Sequence, residues 1–260
     1  MDRLTSAKNP IIKNLKALNR RKGREEQGRF LVEGEKLIRE ALNCGLVLRE
    51  ALVEDGRDDF AFELAEKHGA RVWFAPSELI ASVCDTVTPQ GVCASFDIPA
   101  PLPLNQAPKL IVALDGVQDP GNLGTIWRTA DAGGFGAILL GDGCADPLSP
   151  KVQRAAMGSG FRVPFMLTVN LPETLAELRQ SGYRVVVSDL RGDDFYSCPN
   201  PGERFILVIG NEARGISDAT RAQADIRVRL PMRGGAESLN AAVAAGILMY
   251  GLTEKLYRQT

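Results

Sequence analysis

The sequence has one histidine, His68, and five cysteines, none of them in a C-x-x-C pair. That leaves too few ligands for an ordinary zinc site and gives no sign of a disulfide framework. His68 falls at the end of a helical pattern and reads as a surface residue, so a Ser-His-Asp system is not expected either. No apolar run reaches the ~20 residues needed to span a bilayer. The longest nearly unbroken one is Ala241 to Leu252. The opening MDRLTSAKNP has no apolar core of a secretory signal, so a reduced, cytoplasmic protein is expected. Two nucleotide fingerprints are also missing. There is no G-x-x-x-x-G-K-[ST], and no G-x-G-x-x-G follows the first strand of the second half.

What is present is an ordinary globular composition, 45% apolar and 24% charged, with a net charge of −1 that hides an asymmetry. Residues 1–30 carry nine Lys or Arg against three acids, or +6. Residues 31–109 carry seven against thirteen, or −6. A basic arm on a neutral chain points to a polyanion such as nucleic acid, and Lys8, Lys13, Lys16, Arg20, Arg21 and Lys22 are the candidate contacts. A solvated helix face is the plainer alternative. Ile11, Ile12, Leu15 and Leu18 predict a first helix over 7–22, with glycines 23 and 28 bounding a polar turn. Strands and helices then alternate to residue 97, as in a small α/β domain. DIPAPLPLNQAP (97–108) holds four prolines in twelve residues, which suits neither helix nor inner strand. The expected domains are therefore 1–97, a linker at 98–108, and 109–260. In the last of these, continuous apolar strands such as Phe205 to Ile209 suit a parallel sheet covered on both faces.

Three polar, glycine-bearing stretches each follow a predicted strand. They are LDGVQDPGNLGTIWRTA from Leu114, GNEARGI from Gly210, and LPMRGGAESLN from Leu230. Singly, each has a plain structural reading. Asn122 and Ser238 can cap helices, and Gly210 and Gly215 can supply unusual backbone. If the strands are neighbours, however, the three turns converge at one end of the sheet, where ligands bind in such folds.

Together, Asn122-x-Gly124-x-x-x-Arg128-Thr129-Ala130, Gly210-Asn211-Glu212-x-x-Gly215, and Leu230-Pro231 through Ser238-Leu239-Asn240 resemble the three motifs of the SpoU/TrmH family of RNA ribose 2′-O-methyltransferases. Phe30 to Ile38 and Thr88 to Val92 resemble the family's N-terminal substrate-binding module, which is related to a ribosomal protein. The resemblance implies an α/β methyltransferase domain with a deep trefoil knot behind a small α/β domain. It implies S-adenosylmethionine as cofactor, held around Gly210, Asn211, Leu230, Ser238 and Leu239. It also implies a homodimer through the last helix and no metal. Arg128, Asn122, Glu212, Ser238 and Asn240 are the implied catalytic set, with Arg128 at the hydroxyl and Asn122 holding either Arg128 or its loop. Guanidinium groups keep their protons in proteins, so Arg128 is better read as a bidentate grip on an RNA phosphate than as a base. The expected substrate is large-subunit ribosomal RNA. Transfer RNA, or binding of RNA or cofactor without catalysis, is the alternative.

Overall fold

The computed structural model describes residues 1–84, 86 and 88–257, the last by its backbone alone. The chain forms two compact units. One comprises residues 1–100 with 148–161, and the other 101–147 with the residues from Arg162 onward.

In the first unit, α1 (Pro10–Ala17) starts where Asn9 Oδ1 accepts the Ile11 N–H, with Pro10 in the first turn. The expected single helix over 7–22 is in fact two. The chain restarts as α2 (Arg21–Gln27), and Gly23 lies inside it. Two residues explain the break. The Arg24 guanidinium is buried and donates to the Leu18 carbonyl at 2.7 Å, satisfying the end of α1. A Cβ on Gly23 would collide with the Ala17 backbone, so only glycine lets the helices meet this closely. There follow β1 (Arg29–Glu33), α3 (Glu35–Asn43), β2 (Leu48–Glu54), α4 (Asp58–His68), β3 (Arg71–Ala75), α5 (Ser77–Cys84) and β4 (Val92–Asp97). The sheet order is β1-β4-β2-β3, with only β2 and β3 parallel. Ile12, Leu15 and Leu18 pack with Leu31, Leu52, Ile80 and Val83 in its core. His68 is exposed.

The proline-rich segment is not a free linker along its length. Leu102 N–H donates to the Phe165 carbonyl at 2.8 Å, and Leu102, Leu104 and Ala107 lie on the core of the second unit. The Tyr183 hydroxyl meets the Ala107 and Pro108 carbonyls at 2.7 and 2.8 Å. Proline fixes an extended backbone, and its apolar neighbours then press onto the sheet. The second unit accordingly starts at Pro101.

From there run β5 (Leu110–Asp115), α6 (Pro120–Ala132), β6 (Ala137–Leu140), α7 (Pro150–Ala156), α8 (Ser159–Arg162), β7 (Phe165–Leu167), α9 (Leu171–Gln180), β8 (Arg184–Asp194), β9 (Phe205–Gly210), α10 (Asp218–Arg221), β10 (Ile226–Arg229) and α11 (Ala241–Tyr257). Residues 148–161, expected in the second domain, group with the first unit. There Arg154 of α7 lies 3.5 Å from the buried Glu33 carboxylate of β1. Burial pushes the Glu33 carboxyl up, and Arg154 opposes that only in part.

All neighbours in the second sheet are parallel, in the order β10-β8-β9-β5-β6-β7. From β5 the chain moves outward to β6 and β7, and from β9 it moves the other way, past β8 to β10. The carboxyl ends of β5 and β9 are therefore a topological switch point, where a crevice opens. Both strands are buried nearly end to end, which explains their unbroken apolar runs. Helix α11 packs on α6 and β9. Gly246 meets Thr129 there, with Cγ2 at 3.5 Å from an added Cβ.

Candidate active site

Three loops meet at the switch point, and a chain of side-chain hydrogen bonds ties them together. Asp119 accepts the Asn122 N–H at 2.7 Å and so starts α6. The Glu212 carboxylate, in the loop after β9, accepts Asn122 Nδ2 at 2.9 Å and the Asp119 and Gln118 N–H groups at 3.2 and 3.3 Å. Asn122 Oδ1 accepts Asn240 Nδ2 at 2.8 Å. Asn240 Oδ1 in turn accepts the Ala242 and Val243 N–H groups, which start α11. A carboxylate only accepts, so Glu212 dictates the orientation of the Asn122 amide, and Asn122 that of Asn240.

Burial alone would push the Glu212 carboxyl up. The hydrogen bonds from Asn122 and from backbone N–H groups outweigh this and hold it below its usual range. It is an ionised and occupied acceptor, and its place in this network is that of a tie between loops.

The β9 loop is closed on itself. Asn211 and Gly215 exchange both backbone hydrogen bonds, at 3.0 and 2.9 Å. The Asn211 side chain holds the turn from inside, accepting the Ala213 and Arg214 N–H groups and donating to the Gly116 carbonyl at 2.7 Å. A Cβ on Gly210 would overlap the Gly215 and Ile216 backbone, and Gly215 has φ +68°. Both glycines are thus required by geometry. Asp115 accepts the Ser217 N–H at 2.8 Å and ties the far side of the loop to β5.

Beside this network lies a cavity of about 580 Å³, inside the range of small-molecule sites. Gly210, Asn211, Glu212, Leu230, Ser238, Leu239 and Asn240 all line it. Ile209, Leu230, Met232 and Leu239 give it apolar walls suited to a flat base, and the tight β9 turn contributes polar backbone. The residues present therefore fit an adenosine-bearing ligand.

Arg128 is placed differently. It is exposed on α6, forms no hydrogen bond or ion pair with any described residue, and does not line the cavity. The expectation that Asn122 holds either Arg128 or its loop resolves to the loop, since both ends of its amide are taken by Glu212 and Asn240. The basic residues of the arm also divide. Lys13, Lys16, Arg20 and Lys22 line a concavity of about 500 Å³ where α1 meets α2. Lys22 lies 3.7 Å from Glu26, and Arg21 pairs with Glu25 at 2.8 Å. Lys8 sits in the turn before α1. Sequence reasoning missed Arg191, Arg229 and Met232 of the cavity wall. The one available sign was RGDD, which interrupts the apolar run of β8.

Residues 109–250 match the SpoU rRNA Methylase family, and residues 9–94 match an MRM3-like substrate binding domain. The chain is 38% identical over 252 residues to the 23S rRNA (guanosine(2553)-2′-O)-methyltransferase RlmP of Bacillus subtilis, covering 97% of this chain and 99% of that one. It is similar to the AdoMet-bound rRNA methyltransferase of Sinorhizobium meliloti, with TM-score 0.89, 33% identity and 98% of each chain covered. It is also similar to the SpoU methyltransferase AviRb of Streptomyces viridochromogenes in complex with AdoMet, with TM-score 0.86, 30% identity, and 96% and 99% covered. A parallel α/β sheet with its loops tied at the switch point, preceded by a substrate-binding domain, belongs with these proteins, and the chain is a member of the SpoU rRNA methylase family of RNA 2′-O-methyltransferases.

Proposed function

We propose that this protein methylates the ribose 2′-hydroxyl of a nucleotide in large-subunit ribosomal RNA, with S-adenosylmethionine as methyl donor. The observation that carries this reading is the Glu212–Asn122–Asn240 chain, which gathers all three motif loops beside an adenosine-sized cavity. Gly210, Asn211, Leu230, Ser238 and Leu239 hold the cofactor. When bound, it supplies a methyl group already activated on a sulfonium, so no metal is required. What remains for the protein is to position the hydroxyl and keep its surroundings fixed. Glu212, Asn122 and Asn240 keep the loops in register. Arg128, with its guanidinium unengaged, grips a phosphate beside the target ribose through its fork. A phosphate oxygen or water then takes the hydroxyl proton. Lys13, Lys16 and Arg20 add sequence-independent phosphate contacts, with Lys8, Arg21 and Lys22 at their margin.

The reading extends to a homodimer. Val243, Ile247 and Tyr250 form one exposed apolar face of α11, with Val243 51% and Tyr250 52% accessible. Gly246 of that helix packs on Thr129, next to Arg128. A second copy on this face sets Arg128 at the border of the interface, where it can serve the partner's cavity. Family membership supports the trefoil knot, and the reading includes a cytoplasmic site of action.

The test is transfer of label from methyl-labelled S-adenosylmethionine into unmodified ribosomal and transfer RNA, by the unaltered protein and by Arg128→Ala. Label in large-subunit RNA that resists alkaline cleavage at one position, and vanishes with Arg128→Ala, is the expected result. Label in transfer RNA alone would replace the substrate, and cofactor binding with no label in either would leave a binding protein.

A further inference from the structure

The register between β8 and β10 has a gap. Arg227 pairs with Val187, but the next residue, Val228, pairs with Asp193. Residues 188–192 of β8 have no partner on β10, and the β8–β9 ladder ends at Val187. This excursion is held in place. Asp189 is 7% exposed, takes the Arg221 Nε at 2.6 Å, and accepts the Arg191 N–H at 3.0 Å. Gly192 permits it, because a Cβ there would strike the backbone of Arg227 and Val228. Interruptions of a strand next to a site commonly re-aim side chains. Here Leu190 is turned out, 66% exposed, and Arg191 stands at the cavity.

Arg191 is joined on the cavity wall by Arg214 of the β9 loop and Arg229 of β10. All three are exposed, and none has a side-chain hydrogen bond or salt bridge to any described residue. The other charges on that wall are committed. Arg221 is bound to Asp189 and Asp218, and Glu212 to Asn122. The wall therefore has three guanidinium groups without a direct partner, and the one carboxylate that Arg191 feels through space, Asp189, is already bound to Arg221. S-adenosylmethionine has one carboxylate against an ammonium and a sulfonium, so it is itself a net cation. One arginine suffices for its carboxylate, and further ones repel it. Unengaged arginines at such a mouth call for a second, polyanionic ligand.

We propose that Arg191, Arg214 and Arg229 form a phosphate-binding lip for the RNA strand entering the site, with exposed Leu190 as an apolar rest for a splayed-out base. The lip rests on the reading of the cavity as the cofactor site. It is separate from Arg128 on α6 and from the basic corner of α1 and α2. Asp189 and Arg221 are positioning residues that hold the excursion open.

The test uses the full chain with Arg191→Gln, Arg214→Gln and Arg229→Gln, singly and together. Binding of an unmodified large-subunit ribosomal RNA transcript is measured at several salt concentrations without cofactor. S-adenosylmethionine binding is measured by calorimetry without RNA. With about 0.7 counterions released per single-strand phosphate contact, the triple variant's salt slope should fall by about two. Between 50 and 200 mM salt it should then lose about 16-fold less affinity than the unaltered protein. Because the cofactor carboxylate can engage only one of these arginines, at least two of the three single variants should keep cofactor affinity within about threefold. An unchanged slope overturns the lip. So does cofactor affinity reduced tenfold with the slope unchanged, which would assign these arginines to the cofactor carboxylate. Failure of the unaltered protein to bind S-adenosylmethionine would instead strike the proposed function.

Discussion

Asn122→Asp keeps shape and volume but exchanges the one donor in the centre of the network for an acceptor. It sets a second carboxylate about 2.9 Å from Glu212 Oε1, where the Nδ2 donor now lies. Two like charges ~4 Å apart, at an effective dielectric of ~20, repel by about 4 kcal/mol. Glu212 is partly open to water, which screens the pair, so about 2 kcal/mol reaching the cofactor loops is a fair working figure. That corresponds to a roughly 30-fold weaker S-adenosylmethionine affinity. The pH dependence gives the sharper signature. In the unaltered protein the folded Glu212 pKa is lowered, so its stabilising contribution is present above the ordinary carboxylate range. It is lost only as pH falls through the lowered pKa. Affinity should therefore be flat between pH 5.5 and 8. In Asn122→Asp the pair shares one proton once its upper pKa, raised by the neighbouring charge, is crossed from above. A carboxyl-to-carboxylate hydrogen bond then replaces the lost one. Calorimetric affinity should recover as pH is lowered from 8 to 5.5. Asn122→Ala has nothing to protonate and should stay weak at both. Affinity within twofold of the unaltered protein at pH 8, or the same pH profile for both variants, would refute the network's role.

Arg128→Lys should lower methyl transfer roughly 100-fold or more while changing cofactor affinity far less, because the proposed partner of the fork is an RNA phosphate and not the cofactor; near-normal turnover would mean that the planar fork is not needed. Replacing Lys13, Lys16 and Arg20 together by Gln should lower the salt slope of RNA binding by about two, whereas Arg21→Gln alone, already paired with Glu25, should change it by less than half a unit. Ile247→Glu, on the exposed face of α11, should yield monomers in sedimentation with little change in melting temperature, whereas a dimer unaffected by it would place the interface elsewhere.

Much of the architecture was legible because strand burial writes itself directly into sequence. β5, β8 and β9 are apolar runs because both faces of the sheet are covered, and the breaks between them carry the site. Two differences between pattern and structure come from interactions that sequence does not display. Periodicity continued through residues 18–20, but Arg24 reached back to the Leu18 carbonyl and ended α1 there. The prolines of 98–108 have the composition of a linker, and composition does not reveal that Leu102, Leu104 and Ala107 have a core to lie on.

In the site, the residues were legible but their connections were not. By position Asn122, Glu212 and Asn240 are polar groups after strands, and the motif resemblance names them without showing that they bond one another. Their pairings span 90 and 118 residues and depend on which strands are neighbours. The order β8-β9-β5-β6 makes β5 and β9 adjacent, and only then do the loops after them meet. Helix geometry likewise sets Asn122 and Arg128, six residues apart on one helix, in different surroundings. Six residues turn an α-helix by about 600°, which leaves the two side chains well apart in direction. Asn122 is 9% exposed and tied to the other two loops, while Arg128 is exposed. One motif thus contains a residue that shapes the site of its own chain and another directed away from it. A monomer can assemble the cavity proposed for the cofactor from its own loops, but it leaves Arg128 without a hydrogen bond or ion pair to any described residue. On the proposed reading, an RNA phosphate brought to α6, or a partner's cavity placed against α11, supplies what that arginine lacks.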